Sequence, residues 1–296
     1  MKEKILEKFS LKNVKCLLVF GVIFFMTYIL FMHDVFTSDH VLSSFYEIKP
    51  GDLKDSIIGG RFVNFFINNF YYFISFLGIS HTENMWVLQV ILIFFISLAG
   101  TNIYNIFAPF FEEESINIWL IVIIALNFCN PFFVESFVYK GAELGVAIWI
   151  VVLSVKAFIN NRNLLSTILL FTAISIYQSY IALFFIYVTA YLILKYYDKI
   201  NKQLFVSCLK MFFIGGISAI TNIFLVKLAV KTEYISSELK KVGLTGSFID
   251  KVEDVIKSCI EIILHTRNIL PTGLLAFVLI ISIVLILLYY KRRHPE

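Results

Sequence analysis

The stretch Trp86 to Phe107, WVLQVILIFFISLAGTNIYNIF, carries no charged residue and is long enough to cross a bilayer as a helix, which takes about 20 mostly apolar residues. Similar runs recur on both sides of it: Cys16 to Met32, Ile116 to Asn130, Gly145 to Phe158, Leu164 to Tyr177, Tyr180 to Leu194, Phe205 to Val226 and Ile269 to Tyr290. Their repetition predicts an all-α fold, a polytopic transmembrane helical bundle of about eight spans. Composition points the same way. Of 296 residues 59% are hydrophobic and 16% charged, with a mean hydropathy of +0.84, whereas soluble domains carry about 25% charge. No internal repeat or low-complexity linker divides the chain, so a single integral membrane domain over 1–296 is expected.

The first run follows Lys2, Lys4, Lys8, Lys12 and Lys15. It is longer than a secretory signal core of about 7–15 residues, and no small-x-small site precedes His33-Asp34, so it is read as a retained helix. Several runs are short for a full crossing, and Leu164 to Leu194 could form one long tilted helix. Basic residues favour the cytoplasmic side of a span. With the N-terminus inside, Lys156 and Arg162, then Lys195, Lys199, Lys202 and Lys210, then Lys291-Arg292-Arg293 all fall inside as well, which requires an even number of spans. Both termini are thereby expected in the cytoplasm. Two large outer segments result, residues 33–85 and 231–268. In the first, Leu53, Ile57, Ile58, Phe62, Phe65, Phe66, Phe70 and Phe73 recur at helical spacing and predict amphipathic helices lying in the interface.

This topology brings four polar islands to one face of the membrane: Ser38-Asp39-His40, Gly60-Arg61, the stretch Asn130 to Glu143, and Tyr177-Gln178-Ser179. If they meet, they form one site. Taken singly, each has a plainer reading. Asp39 is equally a solvated loop carboxylate. Arg61 can grip a phosphate through two parallel hydrogen bonds, with Gly59-Gly60 allowing close approach, or it can anchor a lipid headgroup. Glu135, Tyr139, Lys140 and Glu143 interrupt an aromatic, apolar stretch where charge is costly, so they are either functional or an ion-paired set. Gln178 can bind a ligand or cap a helix end.

Other chemistries have no seat here. The histidines lack metal-ligand spacing and the cysteines are isolated singletons. No Walker motif or dinucleotide-type glycine loop is present. The net charge of +4 is accounted for by lysines facing anionic lipid and does not argue for nucleic acid.

The order Ser38-Asp39, Gly60-Arg61, Asn130-Pro131-Phe132-Phe133-Val134-Glu135, Tyr139-Lys140 and Tyr177-Gln178 resembles the GtrII-like glucosyltransferases, GT-C class membrane enzymes of bacterial surface polysaccharides. The resemblance covers about residues 15 to 200. Three departures stand out: one carboxylate at Ser38-Asp39 where the family commonly has two, Lys140 in place of Arg, and the following acid displaced to Glu143. The chain is also shorter than typical members toward its C-terminal end.

The resemblance implies transfer of a sugar, glucose by the family's pattern, from a polyprenyl-phosphate donor to a cell-surface glycan such as O-antigen at the outer face of the cytoplasmic (inner) membrane. In that scheme Asp39 is the catalytic general base, and Arg61 with Lys140 stabilises the departing lipid phosphate. Glu135 and Gln178 position sugar hydroxyls or the neighbouring cation, with Tyr139 and Glu143 as further substrate-binding residues. No cofactor is implied, and the two cations make a metal unnecessary, although Asp39 with Glu135 could hold one. The lipid bilayer, a flippase and a donor synthase are the expected partners. Two rivals are a transporter or flippase for a lipid-linked glycan, which would need a polar pathway through the membrane, and a non-catalytic scaffold subunit of envelope synthesis.

Overall fold

In lipid a backbone must satisfy its own hydrogen bonds, and the apolar runs accordingly fold as helices. The computed structural model describes residues 11–28, 61–63, 66, 69, 73, 85–111, 117–129, 142–197, 202–229 and 280. Among them there is no strand, and seven α-helices have defined bounds: α1 (Leu11–Tyr28), α2 (Met85–Phe107), α3 (Ile118–Phe128), α4 (Ala142–Ile159), α5 (Asn163–Ile174), α6 (Ile181–Lys195) and α7 (Lys202–Ala229). Single 3₁₀ turns follow α2 and precede α6. The chain forms two compact units, Met1–Ile235 and Ser236–Glu296; all seven helices belong to the first, and of the second only Ile280 is described, as helical.

Three segments, Gln89–Phe110, Gln178–Lys195 and Lys202–Val226, are long and apolar enough to cross a membrane, while α3 and α5 are shorter apolar helices. The surface supports that reading. Along α7 alone Phe205, Phe213, Ile220 and Phe224 are each more than 60% exposed, a display of large apolar side chains that water would penalise and hydrocarbon would not. The expected run Ile269 to Tyr290 lies outside the described residues apart from Ile280, as does the outer segment 231–268. Of the expected interfacial helices, Phe62, Val63, Phe66, Asn69 and Phe73 are described and helical, with Phe66 and Phe73 exposed.

Helix α4 is the centre of the bundle, packing on α2, α5 and α6, with α1 against α2 and α7 against α5. Its buried stripe Leu144, Ile148, Val151, Val152 and Val155 meets Leu92 and Ile96 of α2, Leu170 and Ala173 of α5, and Phe184 and Val188 of α6 in one core. Close approach depends on a missing side chain. A Cβ on Gly145 would lie 3.0 Å from the Leu92 side chain and 3.1 Å from its carbonyl oxygen, so α2 and α4 cross here through a small residue. Between α4 and α5 the fully buried Ser154 and Ser166 clasp one another: each hydroxyl donates to the other's carbonyl oxygen, at 2.8 and 2.9 Å. Such bonds stabilise a membrane bundle by about 0.6 kcal/mol each.

The helices alternate in direction, and this sorts the charges. Asn161, at φ 57, turns α4 into α5, with the Asn161 amide donating to Phe158 and the Arg162 amide to Ala157. At this same end α1 begins, where Asn13 accepts from Asn105 near the end of α2, and Lys156 reaches Asn102 at 3.4 Å. Here α6 ends and α7 starts. Lys12, Lys15, Lys156, Arg162, Lys195, Lys202 and Lys210 therefore gather at one end of the bundle, the segregation that the orientation argument required. Arg61 and Lys227 are the described cations toward the other end.

Candidate functional site

The opposite end is built around a broken helix. The apolar run from Leu164 to Leu194 is two helices, not one: the amides of Ser175, Ile176 and Tyr177 close on Phe171 and Ala173, Tyr177 turns extended at φ −150 and ψ 114, and a 3₁₀ turn over Gln178–Tyr180 starts α6. With 12 residues α5 rises about 18 Å, against about 27 Å for the 18 residues of its antiparallel neighbour α4. By length alone α5 is thus about 9 Å shorter than α4, and the break falls short of the start of α4 by about that much where the two run side by side.

Polar groups converge on this recess. The Val63 amide donates to the Ser175 carbonyl at 3.1 Å, fixing the segment that carries Arg61 against the break. The Arg61 guanidinium carbon stands 5.3 Å from the centroid of the Tyr177 ring, and Tyr177 in turn lies 5.4 Å from Tyr180. A guanidinium over an aromatic face is held by cation–π attraction while its in-plane N–H groups keep their capacity to bind an anion bidentately. The Gln178 amide donates to Oδ1 of Asn222, and Nδ2 of Asn222 donates to the Ser175 hydroxyl, both in long bonds of 3.4 Å. Ser175 is fully buried and Asn222 nearly so, whereas Gln178 is exposed at the rim.

Two further helix ends meet here. The Tyr28 hydroxyl donates to the Phe128 carbonyl, and Thr27 touches the Cys129 sulfur at 3.3 Å, joining the last turn of α1 to that of α3. At this face α1 and α3 end and α2 and α4 begin.

Of the residues singled out by sequence, the structure brings Arg61, Tyr177 and Gln178 together. Glu143 opens α4 at the same end, in the first turn, where the helix dipole favours a carboxylate whether or not it binds substrate. Asp39, Glu135, Tyr139 and Lys140 lie outside the described residues. Two participants were missed. Asn222 breaks the apolar run Phe205 to Val226 and was detectable as a lone amide at membrane depth; Ser175 offered no signal, since its role comes from a backbone carbonyl and a contact to α7.

No curated protein and no solved structure matches the chain. The family described as glucosyl transferase GtrII matches residues 50–294, a span that includes Arg61, Glu135, Lys140, Gln178 and Asn222, begins after Asp39, and runs well past the 15–200 region in which the motifs were recognised. The chain belongs to the GtrII glucosyl transferase family.

Proposed function

We propose that the protein transfers a hexose, glucose by its family, from a polyprenyl-phosphate donor to a surface glycan at the Arg61 end of the bundle. One observation carries this beyond the family assignment: Arg61 and Tyr177-Gln178, far apart in sequence, meet at a recessed helix break. A recess flanked by lipid-facing helices suits a donor whose leaving group stays in the membrane.

In this reading Asp39 accepts the proton of the acceptor hydroxyl as that oxygen attacks the anomeric carbon. The bond from the anomeric carbon to the phosphate oxygen breaks, and the electron pair leaves with the lipid phosphate. Arg61, held over Tyr177, and Lys140 stabilise the charge that grows there. Direct displacement inverts the anomeric centre. Gln178, anchored through Asn222 to Ser175, and Glu135 orient sugar hydroxyls, with Tyr139 and Glu143 completing the pocket. In this reading the lysine-rich end faces the cytoplasm, in keeping with the charge rule, and the site lies on the outer face of a bacterial inner membrane. A flippase and a donor synthase would then supply the donor. The described charges sit at the two ends with an apolar core between, which favours a one-sided site over a transport pathway.

The test is the envelope glycan of cells carrying Asp39→Asn beside wild type, at equal protein level. Loss of the hexose side branch is expected. Unchanged side-chain glycosylation would remove Asp39 from the mechanism.

A further inference from the structure

Two leftover backbone groups meet beside the α5–α6 break. Phe62 and Val63 open a helical turn, and the amides of a first turn have no partner within their own helix. Ser175 caps α5 at its C-terminal end, where carbonyls are left over in the same way. The 3.1 Å bond from the Val63 amide to the Ser175 carbonyl satisfies both. It also sets a register. Arg61 stands two residues before Val63 and Tyr177 two residues after Ser175, and these are the side chains that stack, with the guanidinium carbon 5.3 Å from the ring centroid.

The ring is itself held. Tyr177 is the extended residue between α5 and the 3₁₀ turn, at φ −150 and ψ 114, so the break fixes where its side chain leaves the backbone. Its ring lies 5.4 Å from that of Tyr180, which is buried. Arg61 is half-buried, and among the described residues the group set against its guanidinium is this ring rather than a carboxylate. The distinction matters chemically. A carboxylate would occupy the N–H fork and cancel the charge, whereas an aromatic face leaves the charge and the in-plane donors to an incoming anion. A long side chain also loses rotamer freedom when it binds, and a ring that holds it beforehand removes part of that cost.

We propose that Tyr177 is a positioning residue: its ring face, not its hydroxyl, holds the Arg61 guanidinium ready for a phosphate, and it acts on the reaction only through Arg61. For the identity of the anion this rests on the sugar-transfer reading, while the stacking can be measured without it. A tyrosine that served only as an interfacial aromatic would act independently of Arg61.

The test has two arms. In the first, the full chain in neutral detergent is treated with phenylglyoxal, and modification of Arg61 is followed by peptide mass spectrometry against the exposed Arg162. Arg61 should react about 5-fold faster in Tyr177→Leu than in wild type, and at the wild-type rate in Tyr177→Phe, which keeps the ring. An unchanged rate in Tyr177→Leu overturns the proposal. So does a faster rate in Tyr177→Phe, a variant that removes only the hydroxyl oxygen. In the second arm, transfer of labelled sugar is measured in vesicles at equal protein level. Tyr177→Leu should lower it about 10-fold when Arg61 is present and less than about 2-fold in an Arg61→Gln background. Equal factors in the two backgrounds mean that the ring acts by itself, and overturn the proposal. Labelling as predicted in proteins that transfer no sugar supports the seating of Arg61 by Tyr177 and refutes the sugar-transfer reading instead.

Discussion

The two ends of this bundle carry charge in opposite ways. At the lysine-rich end seven described cations sit on or near helix termini, most of them exposed, and several are accounted for by membrane orientation alone. At the other end Arg61 is half-buried, seated over an aromatic ring at a helix break and tied through the Val63 amide, two residues on, to a buried serine. The difference teaches that what marks a site in such a chain is immobilised charge beside irregular backbone, more than the amount of charge.

Substitutions can break that contrast, and the largest effect is expected at Arg61. Arg61→Gln should lower sugar transfer by about 10²–10³-fold in membrane vesicles at equal expression, because it removes the positioned cation from the leaving phosphate. Arg61→Lys should recover only part, since an ammonium cannot reproduce the planar fork or its stacking on Tyr177. Next comes packing between the ends. Gly145→Val forces side-chain atoms against the Leu92 backbone and should cost about 1–3 kcal/mol, read as a lowered unfolding midpoint in detergent. A smaller effect is expected at the cross-helix polar bonds. Asn222→Leu should cost less than about 1.7 kcal/mol of stability yet reduce transfer, by releasing Gln178 and Ser175 together; a stability loss with full activity would make Asn222 purely structural. The smallest is at the lysine-rich end, where Lys156→Gln removes an exposed side chain with one 3.4 Å bond and should leave transfer within about twofold of wild type.

Much of this was legible in the sequence for simple reasons. Apolar runs of spanning length have few alternatives to helix, so Trp86 to Phe107 and its neighbours became α1 to α7 with ends moved by a few residues. The alternation of lysine clusters likewise fixed which helix ends lie together. Leu164 to Leu194 was ambiguous because its apolar character continues through the break; what divides it is the closing of the Ser175 to Tyr177 amides on the last turn of α5 and the contact to Asn222, both dependent on where α7 packs. The meeting of Arg61 with Tyr177 followed from shared sidedness, but its mechanism, a Val63 amide on a Ser175 carbonyl, involves no side chain that a sequence pattern could flag.

The central claim is that sugar transfer happens at the Arg61 end, and its most direct test compares the two ends in one assay. Vesicles holding wild type, Arg61→Gln or Lys156→Gln would be supplied with polyprenyl-phosphate-linked labelled glucose and acceptor glycan, and label in the glycan measured. Loss of about 100-fold in Arg61→Gln with Lys156→Gln near wild type is the predicted result. Transfer undiminished in Arg61→Gln, at equal protein level, would contradict it.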